Sequence, residues 1–200
     1  MSNVLSLRST YSALIDRLRE EEASAAVQVA GVVGFALLTA LSSQFEFRLY
    51  LWEVPITLQT AAVYASGLYL GWRNGLLAQV LYLSLGLFLP VFAGADGHGM
   101  GYLLGAVSAG YLFSYPIAAA VIGALSKRWK SFSGSTLASM VGAAIIFTGG
   151  VVWLHYAAGH GTWMESIDKG FLRFIVIDLL KIGGVGLLYS GTRWLLSETE

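Results

Sequence analysis

The chain has 200 residues, of which 56% are hydrophobic and only 12% charged, with a formal net charge of zero, three histidines and no cysteine. Soluble domains carry about 25% charged residues, so this composition and a mean hydropathy of +0.67 exclude a soluble globule and assign the chain to the membrane. No basic patch is interleaved with aromatics as nucleic-acid binding requires, and the lack of cysteine excludes disulfides, thiol nucleophiles and thiolate metal sites.

Apolar runs of about 17 to 25 residues recur along the chain, each long enough for a helix to cross a hydrocarbon core of about 30 Å. The polar and apolar alternation of a strand-built barrel is missing. The expected fold is an all-α integral membrane bundle of six transmembrane helices over residues 23–196, preceded by a polar segment over residues 1–22. That segment lacks the cationic start, short apolar core and cleavage site of a signal peptide. Leu14, Ile15 and Leu18 fall on one side of it, as in a short interfacial helix over 12–22.

The first span, 23–43, places Ala26, Ala30 and Gly34 on one face and Ala36 and Ala40 on another. Small residues four apart let a second helix approach closely, either inside the same bundle or from a separate membrane subunit. Residues 45–53 form a loop rich in aromatics and charge, including Phe45, Glu46, Arg48, Tyr50, Trp52 and Glu53. The stretch that follows opens with Val-Pro-Ile-Thr-Leu-Gln at Val54 and closes with Leu-Pro-Val-Phe-Ala-Gly at Leu89. Between them lie apolar segments 57–70 and 76–92, joined by a polar turn over 71–75. Each proline marks where backbone leaves a helix for a loop, so both loops lie at one membrane face. Gly94, Gly97, Gly99 and Gly101 then flank Asp96 and His98, a composition that suits a loop folding over a ligand and a flexible surface loop equally.

The fourth span, 102–125, carries Gly105, Ser108, Ala109, Gly110 and Ser114 for tight helix contact, with a kink expected at Pro116. Residues 126–135 make a basic loop with Lys127, Arg128 and Lys130. The fifth span, 136–157, ends near Trp153 and His155, and a polar turn over 159–169 leads into the sixth span, 170–196. Six spans put both termini on one side, where Arg8, Arg17, Arg19, Arg73, Lys127, Arg128, Lys130 and Arg193 also fall. The opposite side has Arg48 and Lys169, with Arg173 just inside the sixth span, so the positive-inside rule makes the termini cytoplasmic.

Asp178 and Lys181 are the anomaly, because charges at membrane depth cost about 2.5 to 3.5 kcal/mol each and therefore face the bundle interior and pair or bind something. Three residues apart, they share a helix face, so a self-satisfied structural ion pair and a ligand site both fit. Hydrolytic chemistry finds no support: Ser131-Phe132-Ser133-Gly134 lacks the glycine before a rhomboid-type nucleophile, and His155 and His160 have no carboxylate between them. No enzyme is expected.

Val-Pro-Ile-Thr-Leu-Gln at Val54, Leu-Pro-Val-Phe-Ala-Gly at Leu89, Gly-Tyr-Leu at Gly110 and Asp-Leu-Leu-Lys at Asp178 come in the order seen in BioY. Over roughly 23–196 the chain resembles this family, the biotin-specific S components, or substrate-binding subunits, of energy-coupling factor (ECF) transporters. It departs at 106–109, where the family commonly has Pro-Thr-Gly-Gly, and at Val176-Ile177, where the family tends to have Pro-Gly.

The resemblance implies a multi-pass subunit of the cell membrane that takes up biotin with a transmembrane coupling subunit and two cytoplasmic ATPase subunits. ATP is used by those separate subunits and no cofactor belongs in this chain, which has no Gly-x-x-x-x-Gly-Lys-Ser/Thr loop. It also makes Ala26, Ala30 and Gly34 the docking seam for the coupling subunit. The ligand residues expected are Asp178, to accept ureido N–H bonds, Lys181 and Gln59, with Trp52, Phe92, Tyr111 and Trp153 as apolar walls. The other readings are a structural or regulatory membrane subunit and an S component for a different vitamin-like ligand.

Overall fold

A computed structural model describes residues 15–19, 22–47, 52–94 and 97–197. Helix α1 (Ala25–Gln44) leads into a two-residue strand β1 (Glu46–Phe47), which pairs antiparallel with β2 (Ile56–Thr57). Helix α2 (Gln59–Leu85), the short α3 (Gly99–Gly105), α4 (Ala109–Ser126) and α5 (Phe132–Ala157) follow. A one-turn α6 (Trp163–Ile167) and a π-helical turn (Asp168–Leu172) then deliver the chain into α7 (Ile175–Ser197). The ribbon is a feature that sequence reading did not foresee. Two residues per strand are too few for an alternating pattern to register.

The organising event is a reversal inside α2. Gly71 has φ 77° and ψ −174°, a region open essentially to glycine alone, and here the helix doubles back. Its two limbs lie antiparallel, tied by Gln79 Nε2 to Ser66 Oγ at 3.1 Å and by Gln59 Nε2 to Tyr82 Oη at 2.6 Å. A Cβ on Gly75 would stand 3.2 Å from Gly67 Cα, so the limbs touch backbone to backbone beside the turn. The polar turn expected over 71–75 is thus accomplished at one residue, and helix resumes at Trp72.

Counting the limbs of α2 separately, α1, α2, α4, α5 and α7 supply the six crossing segments; α1, α4 and α5 are each long and apolar enough to cross a membrane taken alone. Three boundaries differ from the sequence reading. The third span stops at Leu85 instead of Phe92, because Gly86 and Pro90 turn the chain out of the helix. The fourth is split at 106–108 into α3 and α4, and α4 runs through Pro116 as one helix. Regular helix in the sixth begins at Ile175, five residues beyond Gly170, because the π turn occupies the approach.

Close helix contact uses small residues, as expected. A Cβ on Gly110 would lie 2.2 Å from Trp153 Cβ, and one on Gly149 2.1 Å from Ser114 Oγ, so at each glycine of α4 and α5 a side chain of the facing helix fills the space a Cβ would need. The α1 faces divide cleanly. Ala36, Thr39, Ala40 and Ser43 are buried in the bundle, whereas Ala26, Ala30 and Gly34 are exposed beside Val33, Leu37 and Leu41. Internal packing therefore belongs to the second pair of alanines alone.

Residues 15–19 form a helical turn beneath the end of the bundle where α1 begins; the rest of the expected interfacial helix, at 12–14 and 20–21, lies outside the described residues. Arg19 is buried and donates to Leu68 O at 2.5 Å, to Ser126 Oγ at 3.0 Å and to Tyr189 Oη, while Asp16 accepts two bonds from Arg193 at 2.8 and 3.0 Å. A Cβ on Gly71 would come within 2.7 Å of Arg19 O. Gly71→Ala therefore meets a forbidden dihedral and a backbone clash together. Strain at such a dihedral alone is about 1–3 kcal/mol, so the variant should melt at a clearly lower temperature in detergent than wild type, whereas Gly34→Ala, with nothing within 4 Å, should not.

Candidate functional site

Asp178 stands in the first turn of α7, where the positive end of the helix dipole favours an anion. It is only 3% exposed, so its carboxylate has to find partners inside the protein. Thr60 Oγ1 donates to Oδ1 at 2.9 Å and Tyr64 Oη donates to Oδ2 at 2.6 Å, both from the first limb of α2. Lys181 Nζ lies 3.7 Å from Oδ1 and donates to Thr60 Oγ1 at 3.0 Å. Thr60 thus takes a bond from the ammonium and gives one to the carboxylate. The Asp178–Lys181 pair exists, yet at 3.7 Å it is longer than the two hydroxyl bonds to Asp178.

Asp178, Thr60 and Lys181 line a cavity of about 50 Å³, while Tyr64 stands outside its wall. The other walls come from Thr57 and Gln59, from Tyr111, Tyr115 and Phe147, and from Phe174. Pro55 and Ala93, on the two proline-marked loops, also line it. Gln59 is held from three sides: Thr57 Oγ1 at 3.1 Å and Tyr115 Oη at 3.3 Å donate to Oε1, and Nε2 donates to Tyr82 Oη. Tyr111 Oη donates to Gly170 O at 2.7 Å, tying α4 to the π turn. A larger groove of about 500 Å³, lined by Val152, Trp163 and Ile167 among others, opens on the outer surface of the bundle and carries no ionisable group. Specific recognition needs convergent polar groups, and those are in the smaller cavity.

Of the seven ligand residues expected from sequence, Asp178, Lys181, Gln59 and Tyr111 meet in this cavity, and Trp52, Phe92 and Trp153 do not line it. Trp52 packs edge-on against Phe174 at 5.1 Å, one layer out. Phe92 is wholly buried between Tyr82 and Tyr102, with ring centroids 5.5 and 5.2 Å away, and supports the wall from behind. Trp153 donates Nε1–H to Ala106 O at 2.9 Å, which braces the break between α3 and α4. Thr60, Tyr64 and Tyr115 were missed. Helical spacing held the signal for the first two, since Thr60 and Tyr64 are four apart and follow Gln59 directly.

Above the cavity an ionic cluster pins the first loop. Glu53 lies 2.6 Å from Lys169 Nζ and 2.8 Å from His160 Nε2, and Lys169 also reaches Glu165 at 2.8 Å. His160 Nδ1 and His155 Nδ1 both sit 2.9 Å from Ser166 Oγ. His155 stacks on Trp163 at 4.0 Å between ring centroids. Asp96 lies outside the described residues, and His98 is exposed at the start of α3.

A sequence model described as the BioY family matches residues 16–198. A probable biotin transporter BioY of Lysinibacillus sphaericus is 36% identical over 152 residues, which cover 72% of this chain and 75% of that protein. The biotin transporter BioY of Thermotoga maritima is 38% identical over 130 residues, 64% of this chain and 75% of its own. Among solved structures, the S component for biotin from an ECF-type ABC transporter superposes with a TM-score of 0.76 at 22% identity, covering 84% of this chain and 90% of that one. That likeness shows a shared fold of S-component type.

Burial pushes the Glu53 carboxyl up, but bonds from Lys169 and His160 outweigh it and hold it below its ordinary value. A carboxylate depressed on folding contributes stability above its unfolded pKa, and that contribution is lost as pH falls through the folded value. Acidification from about pH 6 to below pH 4 should therefore loosen the 52–57 segment, read as lower backbone protection factors there once the intrinsic slowing of amide exchange in acid is divided out. Glu53→Gln should show low protection at both pH values.

Proposed function

This chain belongs to the BioY family, and on that premise we propose that it is the biotin-binding membrane subunit of an ECF-type uptake system, a transport protein and not an enzyme. The observation that carries the reading is the convergence of Asp178, Thr60, Lys181 and Gln59 on one cavity near the proline-marked loops. Biotin has a ureido ring with two N–H donors and a carbonyl acceptor, an apolar thioether ring and chain, and an anionic carboxylate. An ionised Asp178 suits a ureido N–H, and Gln59 and Lys181 supply further polar contacts. Tyr111, Tyr115, Phe147 and Phe174 supply the apolar wall. Trp52, Phe92 and Trp153 act at one remove, by bracing that wall.

At about 50 Å³ the cavity is far smaller than the roughly 300–1,000 Å³ of small-molecule sites, so loading requires its walls to part. Pro55 and Ala93 belong to loops, and parting of those loops would widen the cavity. Residues 1–22 belong to the cytoplasmic side and residues 23–196 to the membrane domain, by the positive-inside count. The exposed face of Ala26, Ala30 and Gly34 is the docking seam for a transmembrane coupling subunit, which brings two cytoplasmic ATPase subunits and their ATP.

Calorimetry with purified protein should give saturable biotin binding; heat no greater than buffer would end the reading. Asp178→Asn turns a charge-assisted bond into a neutral one and should weaken affinity on the order of tenfold, since such bonds are worth roughly 1.5–3 kcal/mol. The amide keeps one acceptor oxygen for one of the two hydroxyls and its NH2 can donate to the other, so the folded protein should persist. Ala30→Trp should leave biotin affinity unchanged and abolish uptake into cells, because bulk on an exposed face blocks only an approaching helix. A joint loss of binding and uptake would place Ala30 in internal packing instead.

A further inference from the structure

Tyr64 is fully buried and forms no part of the cavity wall, yet its hydroxyl reaches Asp178 Oδ2 at 2.6 Å. It therefore approaches the carboxylate from behind the wall and turns that oxygen into the protein. Oδ1 stays on the cavity side, where Thr60 and Lys181 also line the wall. A carboxylate oxygen has two lone-pair directions, and Thr60 takes one of those on Oδ1. With Oδ2 turned away from the cavity toward Tyr64, what a ligand there can reach is the free direction on Oδ1, which it shares with Lys181 Nζ 3.7 Å away.

We propose that Tyr64 is a specificity-determining positioning residue which, by capping Oδ2, makes Asp178 a one-oxygen acceptor that takes a lone N–H and refuses a parallel pair. The proposal rests on the biotin reading and deepens it. In a cyclic urea the two N–H bonds diverge on either side of the carbonyl, so only one can meet a given carboxylate and nothing is lost when Oδ2 is withdrawn. An amidinium or guanidinium presents two parallel N–H bonds and gains its strength from a fork onto both oxygens. With Oδ2 occupied and the Tyr64 ring filling the space beside it, that fork has no second tooth. The site thus favours a neutral ureido ring over a cationic isostere of almost the same shape, although a bare buried carboxylate beside a cavity would favour the cation. Rejecting the wrong ligand by denying it a partner is the stronger route to selectivity, because an unpaired donor pays its desolvation in full.

The probe pair is biotin and 2-iminobiotin, in which the ureido oxygen becomes a nitrogen and the ring protonates to a guanidinium. Binding of both is measured to purified wild type, Tyr64→Phe, Asp178→Asn and the double variant, at a pH where 2-iminobiotin is protonated. Wild type should prefer biotin, and Tyr64→Phe should lower the ratio of the two dissociation constants about tenfold, the worth of one freed charge-assisted bond. In the Asp178→Asn background the same substitution should leave the ratio where it was, because Tyr64 acts only through the carboxylate. Infrared difference spectra of the ligand-free protein, with aspartate carboxylates isotopically labelled and the Asp178 band identified by its loss in Asp178→Asn, should show that band shifted in Tyr64→Phe. Should the phenylalanine variant not fold, 3-fluorotyrosine placed at position 64 keeps the shape, donates more strongly and should move the band in the opposite sense. An unmoved band, or equal weakening of both ligands whatever stands at 178, would make Tyr64 a packing residue and overturn the proposal. Wild type that binds biotin but shows no change of ratio in Tyr64→Phe sinks this inference alone; wild type that binds neither ligand sinks the biotin reading as well.

Discussion

The structure depends on how a carboxylate is kept inside a membrane bundle. An unpaired ion there would cost several kcal/mol, and pairing it with a lysine on the same helix offsets only part of that. The bundle adds two hydroxyl donors from another helix, Thr60 and Tyr64, so the charge is held by α2 and α7 together. Lys181 is thereby partly released from serving Asp178, since its short contact, at 3.0 Å, is to Thr60. The carboxylate is thereby fixed in place at the edge of a cavity.

The hydroxyls can reach Asp178 because the first limb of α2 lies against α7, and that position follows from the reversal at Gly71. Antiparallel limbs that touch at Gly67 and Gly75 carry Gln59 to Tyr82 at one end and Arg19 to Leu68 at the other. Close approach at glycine also joins α4 to α5 through Gly110, Gly149 and Gly150. Without a hydrophobic effect between helices in lipid, such backbone contact is a principal source of cohesion. The same few glycines thus set both the compactness of the bundle and the aim of the groups that line its cavity.

Much of this was legible in the chain. Asp178 and Lys181 stood out because charge in an apolar run is costly, and Gln59 because it follows the proline of the first bookend. The small-residue faces of α1 were visible from their spacing, although which one turned outward was settled only by packing. The expected aromatics divide between the wall and the layer behind it for one reason: an aromatic near a site in sequence has the right chemistry whether it lines the cavity or backs it. Phe92 and Trp153 back it. Thr60 was passed over since a threonine hydroxyl in a transmembrane helix commonly bonds its own backbone, and Tyr64 since a tyrosine there reads as apolar packing; only the facing helix reveals their partner. The π turn left no trace in composition, because it is a matter of winding.

Arg19 has a consequence for how the protein is made. Its guanidinium joins Leu68, Ser126 and Tyr189, the last of them 170 residues further along. At a synthesis rate of about 5–20 residues per second, roughly ten to thirty seconds separate the emergence of Arg19 from that of its final partner. Through that interval the segment carries a cation whose resting place does not yet exist, beside a bundle whose helices are entering the bilayer one after another. Docking of Arg19 is therefore a late event of biogenesis. It closes the assembled bundle from below, and a fusion partner attached ahead of it has to leave that movement free.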